Sequence, residues 1–161
     1  TLRSRGLGDV YKRQSLGRKT FVAILVLIHA AIAGFMLFFM AVVPQAAFKT
    51  LSAKAVGAFL RVLFPRMFMF GLGLSLAACI VALIAGVGWQ FTVSGLIASG
   101  FALNLLVLTP KINAYRDREL EGDPAAKRIF GLLHLASVGV FLLQLAGSLA
   151  VVGLYSLGAV A

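Results

Sequence analysis

The sequence predicts an all-α, polytopic membrane protein: a four-helix bundle with amphipathic or charged hairpins after the first and third helices. Of its 161 residues, 61% are hydrophobic and 12% are charged, so water cannot be its only solvent. Three long runs lack charged residues, namely 20–48, 67–110 and 129–161. About 20 apolar residues suffice to cross a 30 Å hydrocarbon core. The backbone of such runs must be helical because lipid offers it no hydrogen-bond partner.

The middle uncharged run must fold back on itself. As one straight helix it would be about 66 Å long, roughly twice the thickness of the hydrocarbon core. The sequence Gly86-Val87-Gly88-Trp89 predicts the turn, because glycine releases the helix and tryptophan favours the membrane interface. We therefore expect four spans, at about 20–43, 67–85, 89–109 and 129–152.

A dense charged connection is predicted between the third and fourth spans. Pro110 disfavours helix before it, so the third span should end or kink near Thr109. Residues 111–121 should then continue as about three turns of polar helix, in which Arg116 and Glu119 can pair.

The start of the last helix is also marked in the sequence. Gly122 suits a helix C-terminus. Asp123 followed by Pro124 predicts a new helix, because the carboxylate accepts from free N–H groups and proline fills the first helical position.

The segment after the first span is predicted to lie at the membrane interface. Pro44 should close the first helix, residues 45–66 mix basic and apolar side chains, and the second span should enter at Phe64-Pro65. The candidate lipid-headgroup residues are Lys49, Lys54, Arg61 and Arg66. Each basic residue near an anionic surface contributes about 1 kcal/mol.

The opening residues 1–14, TLRSRGLGDVYKRQ, show neither apolar periodicity nor a helix cap. They resemble translated sequencing-adapter readthrough, so we expect them to be non-native and dispensable, with residues 15–161 forming a single four-helix transmembrane domain. The alternative is a basic, disordered tail. In either case the net charge of +10 is not read as a nucleic-acid footprint, because the remaining basic residues flank membrane spans.

The distribution of basic residues predicts the orientation. Residues 44–66 carry four basic residues and residues 110–128 carry five, whereas the Gly86 turn carries none. Lysine and arginine near the spans are retained on the cytoplasmic side. We expect a bacterial inner-membrane protein with both termini periplasmic and both charged hairpins cytoplasmic.

A candidate intramembrane polar site comprises His29, Asn104, His134 and Ser137. We expect the two histidines to lie within roughly 10 Å of the same depth, and His134 and Ser137 to face the bundle interior together. If a metal or haem binds, its ligands are His29 and His134. The alternative is that these side chains are hydrogen-bonded packing residues, Asn104 through an interhelical bond.

Several common functions lack support in the sequence. No acidic or basic residue lies deep in any predicted span, which argues against ion-coupled transport. No P-loop, HExxH, CxxC or nucleophile-elbow motif is present. Cys79 is the single cysteine, so there is neither a disulfide framework nor a thiolate cluster.

Several short stretches together resemble the transmembrane protein 205-like family, the domain of unknown function numbered 4149. They are Val56-Gly57, Leu63-Phe64-Pro65, Asn104-Leu105, Thr109-Pro110-Lys111-Ile112-Asn113 and Gly122-Asp123, followed by Phe130, His134 and Ser137. Pro65, Pro110, Lys111, Asn113 and Asp123 are the motif residues, and the likeness runs from about residue 22 to residue 145. The resemblance implies a four-helix integral membrane protein without an established activity.

The first helix also has a more distant likeness. With His29 ahead of a glycine, a phenylalanine-rich stretch and Pro44, it is similar to the opening of the copper-resistance-D and HemJ-type membrane families. HemJ-type proteins are haem-binding oxidases of protoporphyrinogen. The tryptophan expected after the histidine is absent.

The leading functional hypothesis is a non-enzymatic inner-membrane bundle without a cofactor, acting through lipid, a partner or a small solute. One alternative is a haem- or copper-binding protein that uses His29 and His134, and another is a small-molecule or metal-ion exporter. The expected partners are the lipid bilayer, including anionic lipids, and no nucleic acid. The sequence leaves a homo-oligomer open.

Overall fold

Four long helices form the structure. The computed structural model describes the backbone of residues 2–158 and the side chains of residues 17–158. The helices are α1 (Leu2–Thr50), α2 (Ala53–Ala85), α3 (Gly88–Leu120) and α4 (Pro124–Ser156). A π-helical turn, Asn104–Leu108, joins the two α-helical parts of α3, Gly88–Leu103 and Thr109–Leu120. No strand occurs among the described residues, and the all-α prediction is confirmed.

Each helix packs on two neighbours, so that the four helices surround a common interior. Links of two or three residues join consecutive helices, which are therefore antiparallel neighbours. The α1 helix packs on α2 and α4, and α3 packs on the same two helices. The pairs α1 with α3 and α2 with α4 lie diagonally across the bundle, where only their side chains can meet.

The outer surface of the bundle is apolar. Each helix turns large aliphatic side chains outward, including Leu27, Leu83, Leu106 and Leu143, whose exposed fractions are 68%, 69%, 70% and 75%. All four helices are long and apolar enough to cross a membrane. An apolar exterior over this length fits a protein whose solvent is lipid.

The glycine turn between α2 and α3 lies where the sequence predicts it. Gly86 has a φ of +66°, a left-handed conformation that glycine adopts without steric cost. The Gly86 and Val87 N–H groups donate to the carbonyls of Leu83 and Ala82, at 3.2 and 3.0 Å. The helix end therefore has its last carbonyls satisfied.

The predicted start of the last helix is confirmed. Gly122 has a φ of +95°, and Asp123 caps α4 with Oδ1 accepting from the N–H groups of Ala125 and Ala126 at 2.9 and 3.2 Å. Pro124 occupies the first turn. Arg118 donates to the other carboxylate oxygen at 2.7 Å.

The polar end of α3 also follows the prediction. It continues through residues 111–120 as helix, and Arg116 contacts Glu119 at 2.6 Å, one turn away. Arg116 is exposed and Glu119 is partly buried, and the contribution of such a pair near the surface to stability is small.

Pro44 does not close the first helix, and residues 45–66 belong almost entirely to the first two helices. The α1 helix continues through Pro44 to Thr50, and α2 begins at Ala53, well before Phe64-Pro65. The φ of proline suits a helix, and membrane helices tolerate its lost hydrogen bond. The residue that marks the start of α2 is Ser52, whose hydroxyl caps this helix by accepting from the Ala55 N–H at 3.4 Å.

Pro110 does not end the third helix. The π-helical turn lies directly before it, and the Thr109 N–H donates to the Asn104 carbonyl. Pro110 has no N–H to continue the regular ladder, and a π turn is a local way to absorb such a defect.

The opening residues, for which the sequence shows no helix cap, belong to α1. The backbone is helical from Leu2. The side chains of residues 1–16 lie outside the described part, and the non-native origin of residues 1–14 stays a prediction.

The bundle interior contains an aromatic layer made of Phe35, Phe39, Phe101 and Phe141. The rings of Phe35 and Phe101 lie 6.1 Å apart, and those of Phe39 and Phe141 lie 6.4 Å apart. Gly71 of α2 faces this layer closely, because a Cβ atom placed on it would lie 2.5 Å from the Phe101 ring. The missing side chain lets α2 and α3 approach.

We predict that Gly71→Ala destabilises the protein, because the ring of Phe101 is fully buried and must be displaced. Overpacking of this kind costs about 1–3 kcal/mol. The matched control is Gly73→Ala, since a Cβ there meets nothing within 4 Å. Thermal unfolding in detergent measures both. Equal melting temperatures for the two variants would contradict the close packing.

We predict a pH-dependent contribution from the α4 cap. The Ala126 N–H and the Arg118 guanidinium hold the pKa of Asp123 below its usual value of 3.8. The charged cap therefore stabilises the fold above that value, and the contribution is lost as pH falls through the lower folded pKa.

Asp123→Asn tests this because asparagine retains the cap but cannot titrate. The wild type should melt above the variant from pH 7 to about 5, and the gap should narrow as the pH falls below 3.8. Glu121→Gln, at an exposed position, is the control. A gap for Asp123→Asn that does not change with pH would contradict the prediction.

Candidate functional site

His29 lies at the centre of a buried contact between three helices. Its ring, on α1, is fully buried. Nε2 lies 3.1 Å from the Ser94 hydroxyl of α3, and Nδ1 lies 3.5 Å from the Ser148 hydroxyl of α4. A serine hydroxyl can donate or accept, so either tautomer of a neutral imidazole is accommodated. These three residues are called the histidine cluster.

Two glutamines extend the histidine cluster in opposite directions along the bundle. Gln90 precedes Ser94 by one turn of α3 and is fully buried, and Gln144 precedes Ser148 by one turn of α4 and is 3% exposed. Gln144 donates from Nε2 to the Ile97 carbonyl at 2.8 Å. Together with the histidine cluster, the two glutamines form what we call the outer polar layer.

Asn104 and Ser137 form a separate polar contact. The Ser137 hydroxyl donates to Asn104 Oδ1 at 2.6 Å, joining α3 to α4. Both residues are buried. By helix rise Ser137 lies about 10 Å along α4 from Gln144, and Phe141 of the aromatic layer lies between them.

His134 lies elsewhere. Its side chain is exposed on the outer face of α4, where the ring stacks on Phe130 at 6.0 Å between centroids. The expectation that His134 faces inward with Ser137 is wrong. Residues three apart on a helix differ by about 60° in direction, and here the edge of the buried face passes between them.

The two histidines are not brought together. His134 precedes Ser148, the contact of His29, by 14 positions, which is about 21 Å along α4. The expected common depth within 10 Å is therefore wrong, because the helices are staggered so that His29 lies opposite Ser148. Residues 17–158 contain no group of three or more His, Cys, Asp or Glu side chains placed to hold a metal ion. These positions do not fit a shared two-histidine metal or haem site.

The motif residues that carry the family resemblance lie outside the outer polar layer. Pro65 and Pro110 lie inside helices, and Lys111, Asn113 and Asp123 lie at the charged end of the bundle, where α1 and α3 end and α2 and α4 begin.

The four basic residues of the lipid-headgroup prediction lie at this same charged end. Lys49, Lys54 and Arg66 are exposed. Arg61 instead makes a bidentate contact with Asp117 of α3, one bond of which measures 3.1 Å.

Sequence reasoning did not select Gln90 and Ser94. Their spacing of four places both on one helical face, which is a detectable signal. A polar pair in an otherwise apolar span gives no indication of its partner, however, and here the partner His29 comes from the diagonal helix.

Comparisons with known proteins add a family but no activity. No curated protein and no solved structure matches the chain. The likeness to transmembrane protein 205 and that to the copper-resistance-D and HemJ-type families receive no support. One family model, described as a domain of unknown function (DUF4149), matches residues 27–121. This match covers more than half of the 161 residues, and the chain therefore belongs to the DUF4149 family.

Proposed function

We propose that the chain is a non-enzymatic, multi-pass protein of the bacterial inner membrane that binds a small uncharged solute inside its four-helix bundle. The observation that carries the proposal is the histidine cluster, in which His29, Ser94 and Ser148 converge from three helices in an apolar interior.

The polar character of this region favours binding over packing alone. Apolar side chains would fill the same volume without the cost of burying polar groups in a membrane. Five inward-facing polar residues instead lie at and around His29, with Gln90 about 6 Å nearer the Gly86 end than Ser94 and Gln144 about 6 Å nearer the charged end than Ser148. Such a set of donors and acceptors suits a ligand that forms hydrogen bonds.

The charge of the interior supports a neutral ligand. Among residues 17–158, no Asp, Glu, Lys or Arg is buried. An ion in this position would lose its hydration without meeting an opposite charge, at a cost of several kcal/mol. The solute is therefore uncharged.

The geometry supports the two alternative functions less well. Binding of haem or copper by both histidines is not supported, because His134 lies about 21 Å along α4 from Ser148, the residue that contacts His29. Export requires a path through the bundle, whereas the aromatic layer fills the interior beside the outer polar layer.

The charged end supports contact with anionic lipid as a second property of the same protein. Lys49, Lys54 and Arg66 are exposed there, and each basic residue near an anionic surface contributes about 1 kcal/mol. Arg61 already has a carboxylate partner, so we expect it to contribute less.

We predict that a neutral polar compound co-purifies with the wild-type protein and is lost in His29→Ala. The variant removes the ring that links Ser94 to Ser148. His134→Ala is the matched control, because that ring lies on the outer face. Mass spectrometry of denatured, detergent-purified protein measures the compound, and absorption spectroscopy with metal analysis should find neither haem nor copper when both are supplied.

Two results would contradict this proposal. One is an extract that contains only lipid and detergent. The other is a compound, haem or metal retained to the same extent by wild type and His29→Ala.

We predict that the C-terminus is periplasmic. The basic segments 44–66 and 110–128 lie at the end of the bundle where α4 begins, and the C-terminus follows the other end of α4. Alkaline phosphatase fused after residue 161 should be active, and green fluorescent protein at the same point should be dark. Fusions at Gly122 should give the reverse pattern and serve as the control. An inactive phosphatase and a bright fluorescent fusion at the C-terminus would reverse the orientation.

A further inference from the structure

The buried side-chain amide of Gln90 has no hydrogen-bond partner in the described part of the protein. Its exposed fraction is 0%, and both Nε2 and Oε1 lack a hydrogen-bond partner among the described residues. Exchanging the amide nitrogen and oxygen would not change this, since neither position is paired. Leaving a buried amide unpaired in a membrane is costly, because lipid offers it no hydrogen-bond partner. A bound molecule would remove that cost.

A second unpaired atom lies in the same polar layer. Gln144 uses Nε2 for the Ile97 carbonyl, but its Oε1 has no partner. Gln144 lies beside Ile97, which is seven residues or about 10 Å beyond Gln90 along α3, so one small molecule does not reach both amides. Gln90 alone offers both a free donor and a free acceptor. A molecule that satisfies this set must both accept and donate, as a hydroxyl group does.

The layer lies next to an opening in the bundle surface. A pocket of about 240 Å³ is present at the Gly86 end, lined among others by Gly88, Trp89 and Tyr155. The rings of Trp89 and Tyr155 stack at 5.9 Å between centroids. Gln90 directly follows Trp89 and lies two residues after the first residue of α3, so it is within about one turn of this pocket.

The opposite side of the layer is closed. Ile97 and Phe101 follow Ser94 along the buried face of α3, and Phe101 fills the space beside Gly71. This packing separates the layer from the Asn104–Ser137 contact. The polar space is therefore blind: it approaches one end of the bundle and stops at the aromatic layer.

We infer that the Gln90 side of the outer polar layer is the floor of a blind vestibule at the Gly86 end, occupied by water or another small neutral hydroxyl compound bonded to the Gln90 amide. The inference deepens the proposed function by naming the ligand chemistry and the side of entry. It does not require the solute to be retained on purification, because water alone satisfies the unpaired amide of Gln90.

Water-edited NMR of the full chain in phospholipid vesicles tests this, with bulk water as the probe. The Gln90 side-chain NH₂ signal is assigned by through-bond correlation to its backbone, which needs no variant. Its intensity should build up from water severalfold faster than that of the Phe101 backbone N–H, a probe of the aromatic layer. The side chain of Gln45, which is exposed at the charged end, gives the reference rate for contact with water.

Three outcomes are distinct. Rapid transfer from water to Gln90 supports the vestibule with water as occupant. Slow transfer, with magnetisation contacts from Gln90 to C–H groups of a neutral hydroxyl compound recovered on denaturation, supports the same site with the other occupant. Slow transfer with no such compound overturns the inference.

Failure of the proposed function gives a different pattern. If Gln90 is hydrated but no compound depends on His29, the vestibule stands and solute binding fails. If a compound depends on His29 while Gln90 is dry and does not contact it, solute binding stands and the vestibule fails.

Discussion

The absence of a polar solvent inside the bilayer is the constraint on which the arrangement of the helices depends. In hydrocarbon an apolar side chain gains little by facing another helix instead of lipid, so packing and hydrogen bonds between helices must select the contacts. His29 does this across the diagonal, where α1 and α3 meet only through side chains. Ser137 and Asn104 do it between α3 and α4. These contacts hold the helices at one stagger and one rotation, so that His134 lies on the outer face of α4 and far from the depth of His29.

The two ends of the bundle solve different physical problems. At the charged end, ion pairs tie neighbouring elements together in contact with water, including Arg61 with Asp117 and Arg118 with Asp123. Pairs as exposed as these contribute little energy individually. At the Gly86 end there are no such pairs among the described residues; a tight glycine turn and a stacked aromatic pair lie beside the polar interior instead. A neutral molecule that enters at the Gly86 end therefore does not have to pass these ion pairs.

The fold class and the local helix boundaries could be predicted because their causes are local in sequence. Gly86, Gly122 and Asp123-Pro124 end or begin helices through their own backbone preferences. Pro44 was wrongly predicted to end the first helix. The free energy lost with one backbone hydrogen bond is small compared with the stability of a long helix in lipid. Ser52 was the better boundary signal.

The polar site could be predicted only in part. In a membrane helix both faces are apolar, so periodicity does not separate the face that meets lipid from the face that meets the core. His134 and Ser137 therefore looked equivalent although one is exposed and the other buried. Asn104 was recognised because a strongly polar side chain in a span has few roles. Gln90 and Ser94 required knowledge of which residue lies opposite them.

A double-mutant cycle on His29 and Ser94 tests most directly whether buried polar contacts fix this bundle. The free energy of unfolding in lipid-detergent mixtures would be measured for wild type, His29→Ala, Ser94→Ala and the double variant. The account predicts a coupling energy of about 0.6 kcal/mol, the average for such bonds in membranes, and of no more than about 1.7 kcal/mol. A coupling energy indistinguishable from zero, with both single variants folded, would contradict it.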